Sequence, residues 1–108
     1  MFKLKPMDTP ESWPVTVTTP SAHGTVSKGT FTAQFVMLKR SEFVQLSDQG
    51  DQALIERVLV GWSGIYDANG NEMPFSLENR AELLEYTHVA TAISRAYVGF
   101  VAGAPAKN

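Results

Sequence analysis

The stretch Trp13-Pro14-Val15-Thr16-Val17-Thr18-Thr19 alternates apolar and hydroxyl residues, with Val15 and Val17 on one side and Thr16 and Thr18 on the other. Period-two alternation of β-branched residues predicts a strand buried on one face. Pro14 has no N–H to give a ladder, so it belongs at the strand's beginning or on a sheet edge. Pro20-Ser21-Ala22-His23-Gly24 supplies turn chemistry. Alternation resumes from Thr30 to Leu38, where Phe31, Ala33, Phe35 and Met37 oppose Thr30, Thr32 and Gln34. Val36 and Leu38 interrupt the polar side, so that end is expected to be covered on both faces. Val26-Ser27-Lys28-Gly29 extends the second strand through an expected bulge at Gly29. Two or three antiparallel strands result, and a sheet this small needs helices packed on its apolar face.

Beyond residue 40 the period changes. Ser41 is a candidate cap for a short helix carrying Phe43, Val44 and Leu46, and Asp48 or Asp51 for the next. Leu54, Ile55, Val58 and Leu59 form an amphipathic stripe that predicts a helix near 51–60, ended by Gly61. Asp67-Ala68-Asn69-Gly70 follows, and Asn-Gly predicts a hairpin with a type I′ turn. Ser76 caps a helix over 77–85, and Thr87 a last one over 88–102 with the stripe Val89, Ile93, Ala96, Tyr97 and Phe100. Gly103 is a natural stop. The expected fold is α+β: an N-terminal antiparallel sheet, then a helical region with an inserted β-hairpin. The expected core comprises Leu54, Ile55, Val58, Leu59, Leu84, Val89, Ile93 and Phe100.

With 108 residues, 44% hydrophobic and 19% charged, a single domain is expected, divided into a β-rich part (1–40), a mainly helical part (41–103) and a flexible tail (104–108). The absence of cysteine removes a thiol nucleophile, zinc ribbons, iron–sulfur clusters and disulfides. No 18-residue apolar run exists, and the start Met1-Phe2-Lys3-Leu4-Lys5-Pro6 lacks the apolar core of a secretory signal, so an intracellular protein is expected. A net charge of −2 argues against a dedicated nucleic-acid binder. The charge is uneven: residues 1–40 carry Lys3, Lys5, Lys28, Lys39 and Arg40 against Asp8 and Glu11, while the remainder is acidic. Such asymmetry is first read as two faces of one fold attracting each other, and second as the footprint of a partner.

Asp67, Asn69, Asn71 and Glu78 fall at ligand positions of an EF-hand loop, but Glu72 stands where that loop needs glycine. A hairpin turn is the better reading. His23 and His88 have no neighbours at metal-ligand spacing, and no nucleophile elbow, Walker loop or G-x-G-x-x-G is present. No catalytic, cofactor-binding or metal residue is nominated, and no cofactor is expected. Trp62, Tyr66, Phe75 and Tyr97 are the candidate protein-binding residues, because rigid aromatics anchor interfaces. The bland alternative places Trp62 as a seal between helix and hairpin, and Tyr97 in the core.

The segment Gly61-Trp62-Ser63-Gly64-Ile65-Tyr66-Asp67-Ala68-Asn69-Gly70-Asn71-Glu72-Met73-Pro74-Phe75-Ser76, with Leu83-Leu84-Glu85 and Ala92-Ile93-Ser94-Arg95-Ala96-Tyr97 after it, resembles the tail assembly chaperones of long-tailed bacteriophages and prophages. The resemblance spans about residues 35–100. It implies a non-enzymatic protein of the host bacterial cytoplasm that binds the tape-measure protein, keeps it soluble and helps recruit the tail-tube protein, with homo-oligomer formation open. Two other readings stay open. A head–tail connector or tail terminator would form a ring and remain in the virion, showing as a defined hexamer in solution. A small-ligand binder or enzyme would need a concave pocket with perturbed titratable groups.

The family also makes two product lengths through a programmed frameshift. Ala106-Lys107-Asn108 is compatible with the slippery heptamer A AAA AAC, where paired tRNAs shift back by one base with little loss of pairing. A minor longer product sharing residues 1–106 is therefore expected. The coding sequence checks it: other codons at 106–108, or an early stop in the −1 frame, would leave the short chain alone.

Overall fold

The computed structural model describes residues 1–104. Its elements are β1 (Glu11–Pro20), β2 (Val26–Phe35), α1 (Arg40–Asp48), α2 (Asp51–Val58), β3 (Leu59–Ser63), α3 (Leu77–Leu84) and α4 (Thr87–Ala102), with a short 3-10 turn at Ala22–Gly24. This is an α+β fold with the sheet order β1-β2-β3, antiparallel throughout. The expected tail at 104–108 and the heptamer codons at 106–108 lie, apart from Ala104, outside the described residues.

The alternation read in the sequence is what the sheet uses. Trp13 and Val15 of β1 face Ala33 and Phe31 of β2, and Trp62 of β3 continues that row opposite Ala33. Pairing from Glu11–Phe35 to Pro20–Val26 is unbroken, so the expected bulge at Gly29 is absent. A bulge lies instead in β3, where Gln34 pairs with Gly61 but Phe35 with Leu59. The extra residue, Val60, is turned outward. Leu59 and Trp62 are three residues apart, which would place them on opposite faces of a regular strand. The bulge restores them to one face, and both are buried.

Leu59 therefore belongs to a strand, not to the predicted helix over 51–60, and the helical part of the chain supplies the sheet's third strand. The physical reason is tertiary. An eight-residue helix is marginal by itself, and the open edge of β2 offers backbone partners from Val58 onward, beginning with the Val36 N–H to the Val58 carbonyl at 3.1 Å. Leu59 is buried either way, so its apolarity could not distinguish the two states.

Ser76 caps α3 as expected, its hydroxyl accepting the Asn79 N–H at 2.9 Å. The other expected caps are corrected. α1 starts from Lys39 rather than Ser41, α2 from Gly50 rather than Asp48 or Asp51, and α4 from Tyr86 rather than Thr87, none with a side-chain cap bond. At α4 the cause is visible: Tyr86 donates to the Leu83 carbonyl and accepts from Val89 and Ala90, so α3 runs into α4 without room for an extended Thr87. Gly103 ends α4 in the left-handed conformation (φ 67°), as expected. The Asp67–Gly70 turn is not type I′, because only Gly70 has positive φ (82°). The Asp67 carboxylate replaces that geometry by accepting the N–H groups of Asn69 and Asn71, both at 2.9 Å.

α4 lies along β1 and also meets α2 and α3. Val89, Ala92, Ile93, Tyr97 and Phe100 form its buried stripe, with Ala96 half-buried. Of the expected core, Leu84 is only half-buried and Leu83 takes its place, a rotation of α3 by one position. Met37 lies past the end of β2 and is exposed, so it does not continue the apolar row of Phe35. Ile93 is fully buried. Ile93→Ala is expected to cost ~2–5 kcal/mol in denaturant unfolding, the range for truncating a core aliphatic. A loss below ~0.5 kcal/mol, the level of surface changes, would contradict this packing.

Candidate partner-binding surfaces

The four aromatics nominated from the sequence have different fates. Trp62 on β3 is buried, donates from Nε1 to the Met73 carbonyl at 2.8 Å and packs on Phe75 with ring centroids 5.0 Å apart. Phe75 is half-buried, with the Arg80 guanidinium 5.9 Å from its ring centre. Arg80 also donates to the Leu59 carbonyl at 3.0 Å. These contacts pin the hairpin and the start of α3 to β3, which is a structural duty. Tyr97 is a core residue, 1% exposed, and its hydroxyl donates to the Val36 carbonyl at 2.8 Å. Neither it nor Trp62 stands at the surface. Tyr66 alone does, 60% exposed, in an isolated bridge with Glu72 beside the turn.

Tyr66 borders a shallow cavity of about 280 Å³ where the β1–β2 end of the sheet meets α3 and α4, lined among others by Val17, Phe31, Ile65, Leu83 and His88. This places His88 and Tyr66 together, which the sequence did not foretell. The Tyr86 ring stands edge-on 6.2 Å from His88. No group of three His, Asp or Glu side chains able to hold a metal ion occurs among the described residues. The Asp67 loop, read against the EF-hand pattern, spends its carboxylate on backbone N–H groups instead.

The larger apolar surface comes from residues the sequence reading did not nominate. Met1, Phe2, Leu4 and Met7 are exposed, the second and third at 82% each, on an irregular segment leading into β1. A cavity of about 340 Å³ lies between this segment, Met37 and Phe100. The segment is held at its base. Arg57 of α2 donates to Asp8 at 2.8 Å and to Glu42 of α1 at 3.0 Å, and Lys5 pairs with Glu11 at 2.8 Å. Hydrogen bonds to Asp8 and then Glu42 raise the Arg57 pKa above its ordinary value. Asp8 has φ 65°, an uncommon conformation for a side-chain-bearing residue. The legible signal was Phe2-Lys3-Leu4-Lys5, a short apolar–basic alternation.

No protein-family model matches this chain, and neither a curated protein nor a solved structure matches it.

Burial pushes the Tyr97 hydroxyl up from 10.0 to about 12. Folding favours its protonated form, so its contribution is complete below the ordinary tyrosine value and is lost as pH rises through 10 to about 12. Tyr97→Phe is expected to cost about 1–2 kcal/mol at neutral pH by leaving the Val36 carbonyl without its donor. In denaturant unfolding the gap between parent and variant should narrow as pH climbs through that window. A gap independent of pH would contradict the buried, protonated hydroxyl.

Proposed function

We propose that this chain is a non-enzymatic tail assembly chaperone of a long-tailed bacteriophage or prophage, working in the host bacterial cytoplasm. In this reading it binds the tape-measure protein and aids assembly of the tail tube. The observation that carries a binding role is the exposed apolar segment of Met1, Phe2, Leu4 and Met7 with Met37 beside it. Apolar surface grouped in this way marks a site of protein contact. Methionine and leucine suit a long helical client, because flexible side chains adapt to successive, similar surfaces. Tyr66, beside its apolar cavity, adds an aromatic anchor of the kind that receives an amphipathic helix in a groove. The class of client comes from the resemblance over Gly61–Tyr97.

No helix among the described residues is long and apolar enough to cross a membrane. Co-expression with the tape-measure protein encoded downstream tests the proposal. The client's soluble fraction should rise, the two chains should co-purify, and Tyr66→Ser should reduce the recovered complex. Unchanged solubility with no co-purification would overturn it.

A further inference from the structure

The sheet ends in two edge strands, and they differ. β3 is five residues long and bulged at Val60, which blunts it as a template for further pairing. β1 is ten residues long and pairs in unbroken register with β2, on one side only. The Ser21 N–H donates to the Thr25 carbonyl at 2.8 Å, just beyond the Pro20–Val26 pair. Bonded and unbonded pairs alternate along an antiparallel ladder. The odd positions of β1 therefore bond to β2, and the even ones, from Ser12 to Pro20, turn their backbone groups outward. The same parity holds past the end of β2, where Val36 donates to Val58 on the β3 side. Pro14 and Pro20 thus stand where the ladder has no use for an N–H. Between them Thr16 and Thr18 each turn an N–H and a carbonyl outward. Among the described residues no backbone hydrogen bond from α4 or a loop reaches either one.

The space beside this edge is a groove. α4 runs along β1, and two adjoining cavities of about 480 and 220 Å³ lie there, both lined by Thr16, Thr18, Ala92 and Arg95. Lys28, the ladder partner of Thr18, lines the larger one. On α4 the wall is continued by Ala96 and Gly99, whose small size keeps the groove open. No Asp or Glu lines either cavity, although the chain as a whole carries a net charge of −2. Lys28 and Arg95 are both exposed, and neither enters an ion pair among the described residues.

We propose that the outward edge of β1 between Pro14 and Pro20 receives an extended acidic segment of another protein as a fourth strand, its carboxylates meeting Lys28 and Arg95. A polypeptide is the occupant because Thr16 and Thr18 present donors and acceptors in alternation, which another peptide backbone matches; a phosphodiester backbone only accepts. Added strands of this kind take affinity from the main chain and specificity from side chains. The segment is acidic because the groove offers cations and no acid. It belongs to a different chain, since pairing β1 with a second β1 would set Lys28 and Arg95 against their own counterparts, and like charges across a contact repel. Two residues supply the backbone bonds and the cations are exposed, so the binding is weak and salt reduces it. The groove shares no lining residue with the cavity beside Phe2 and Met37, and the proposal stands apart from that surface and from the client suggested above.

Amide hydrogen exchange read by NMR on the purified chain tests it, with a capped heptapeptide of alternating valine and glutamate as probe. At millimolar peptide in low salt, the Thr16 and Thr18 amides should exchange more slowly, and added salt should reverse the effect. The same peptide with lysine in place of glutamate should leave both amides unchanged. Methylating every backbone nitrogen of the acidic peptide keeps its charge and should abolish the effect. Lys28→Glu and Arg95→Glu should each weaken binding about tenfold or more. Both positions are exposed, and circular dichroism verifies that the variants keep the fold. No slowing at Thr16 and Thr18, or binding indifferent to both substitutions, would overturn the proposal. Equal binding of the methylated peptide or of a single-stranded DNA oligonucleotide would also overturn it, by reducing the groove to a general anion surface.

Discussion

Tyr97 joins the last helix to the sheet across 61 residues of chain through its hydroxyl and the Val36 carbonyl. Around it the rings close up: Phe35 stands edge-on at 5.2 Å, Phe100 at 5.7 Å and Phe43 of α1 stacked at 6.3 Å. Trp13 of β1 meets Phe100 edge-on at 5.4 Å. One cluster thus touches β1, β2, α1 and α4, and without it the sheet would have no cover and the helices no common surface. Edge-to-face pairs of this kind each add about 0.5–1.5 kcal/mol beyond the area they bury. The phenol's polar end needs a partner in such a place, and the carbonyl just past the end of β2 is that partner.

A second constraint sits at the other edge of the sheet. The Val60 bulge brings Leu59 and Trp62 to the same face, and Trp62 then holds the returning hairpin by its bond to Met73. From that point Phe75, Ser76 and Arg80 follow in order: a ring on Trp62, a cap on α3 and a guanidinium on the Leu59 carbonyl. The segment from Gly61 to Arg80 is therefore one mechanical unit that ties the start of α3 to β3. Its aromatic residues serve that mounting, and Tyr66 is the one left facing outward.

Surface chemistry and fold are linked through Arg57. Its guanidinium gathers the segment before β1 to α1 and α2, so the apolar side chains of that segment project from a fixed base. Exposed pairs of this kind are worth little as stability, at most about 1 kcal/mol each. Their consequence is positional. They tie a basic, apolar segment to the helices α1 and α2 and leave Lys3 beside Phe2 and Leu4 exposed. A chain that presents apolar surface beside an exposed cation is suited to contacts with other chains.

Local pattern determined much of this protein. The Val–Thr and Phe–Ala–Phe alternations specified two strands and their buried faces, the stripe from Val89 to Phe100 specified α4, and Ser76 and Gly103 marked helix ends, because period and capping act over a few residues. Leu54, Ile55 and Val58 were legible as core for the same reason. What the tertiary structure decided are the places where two local states were equally served. Leu59 is apolar in helix or strand, and only the unpaired edge of β2 draws it into β3. Leu83 and Leu84 are adjacent leucines, and only the seat of α3 beside α4 selects the first. Tyr97 and Tyr66 are both aromatic candidates for a contact, and burial beneath Val36 removes one while the hairpin displays the other. The Phe2-Lys3-Leu4-Lys5 alternation was legible locally, but Met37 and Phe100 join that segment around one cavity only in three dimensions, since residues far apart in sequence become neighbours through folding.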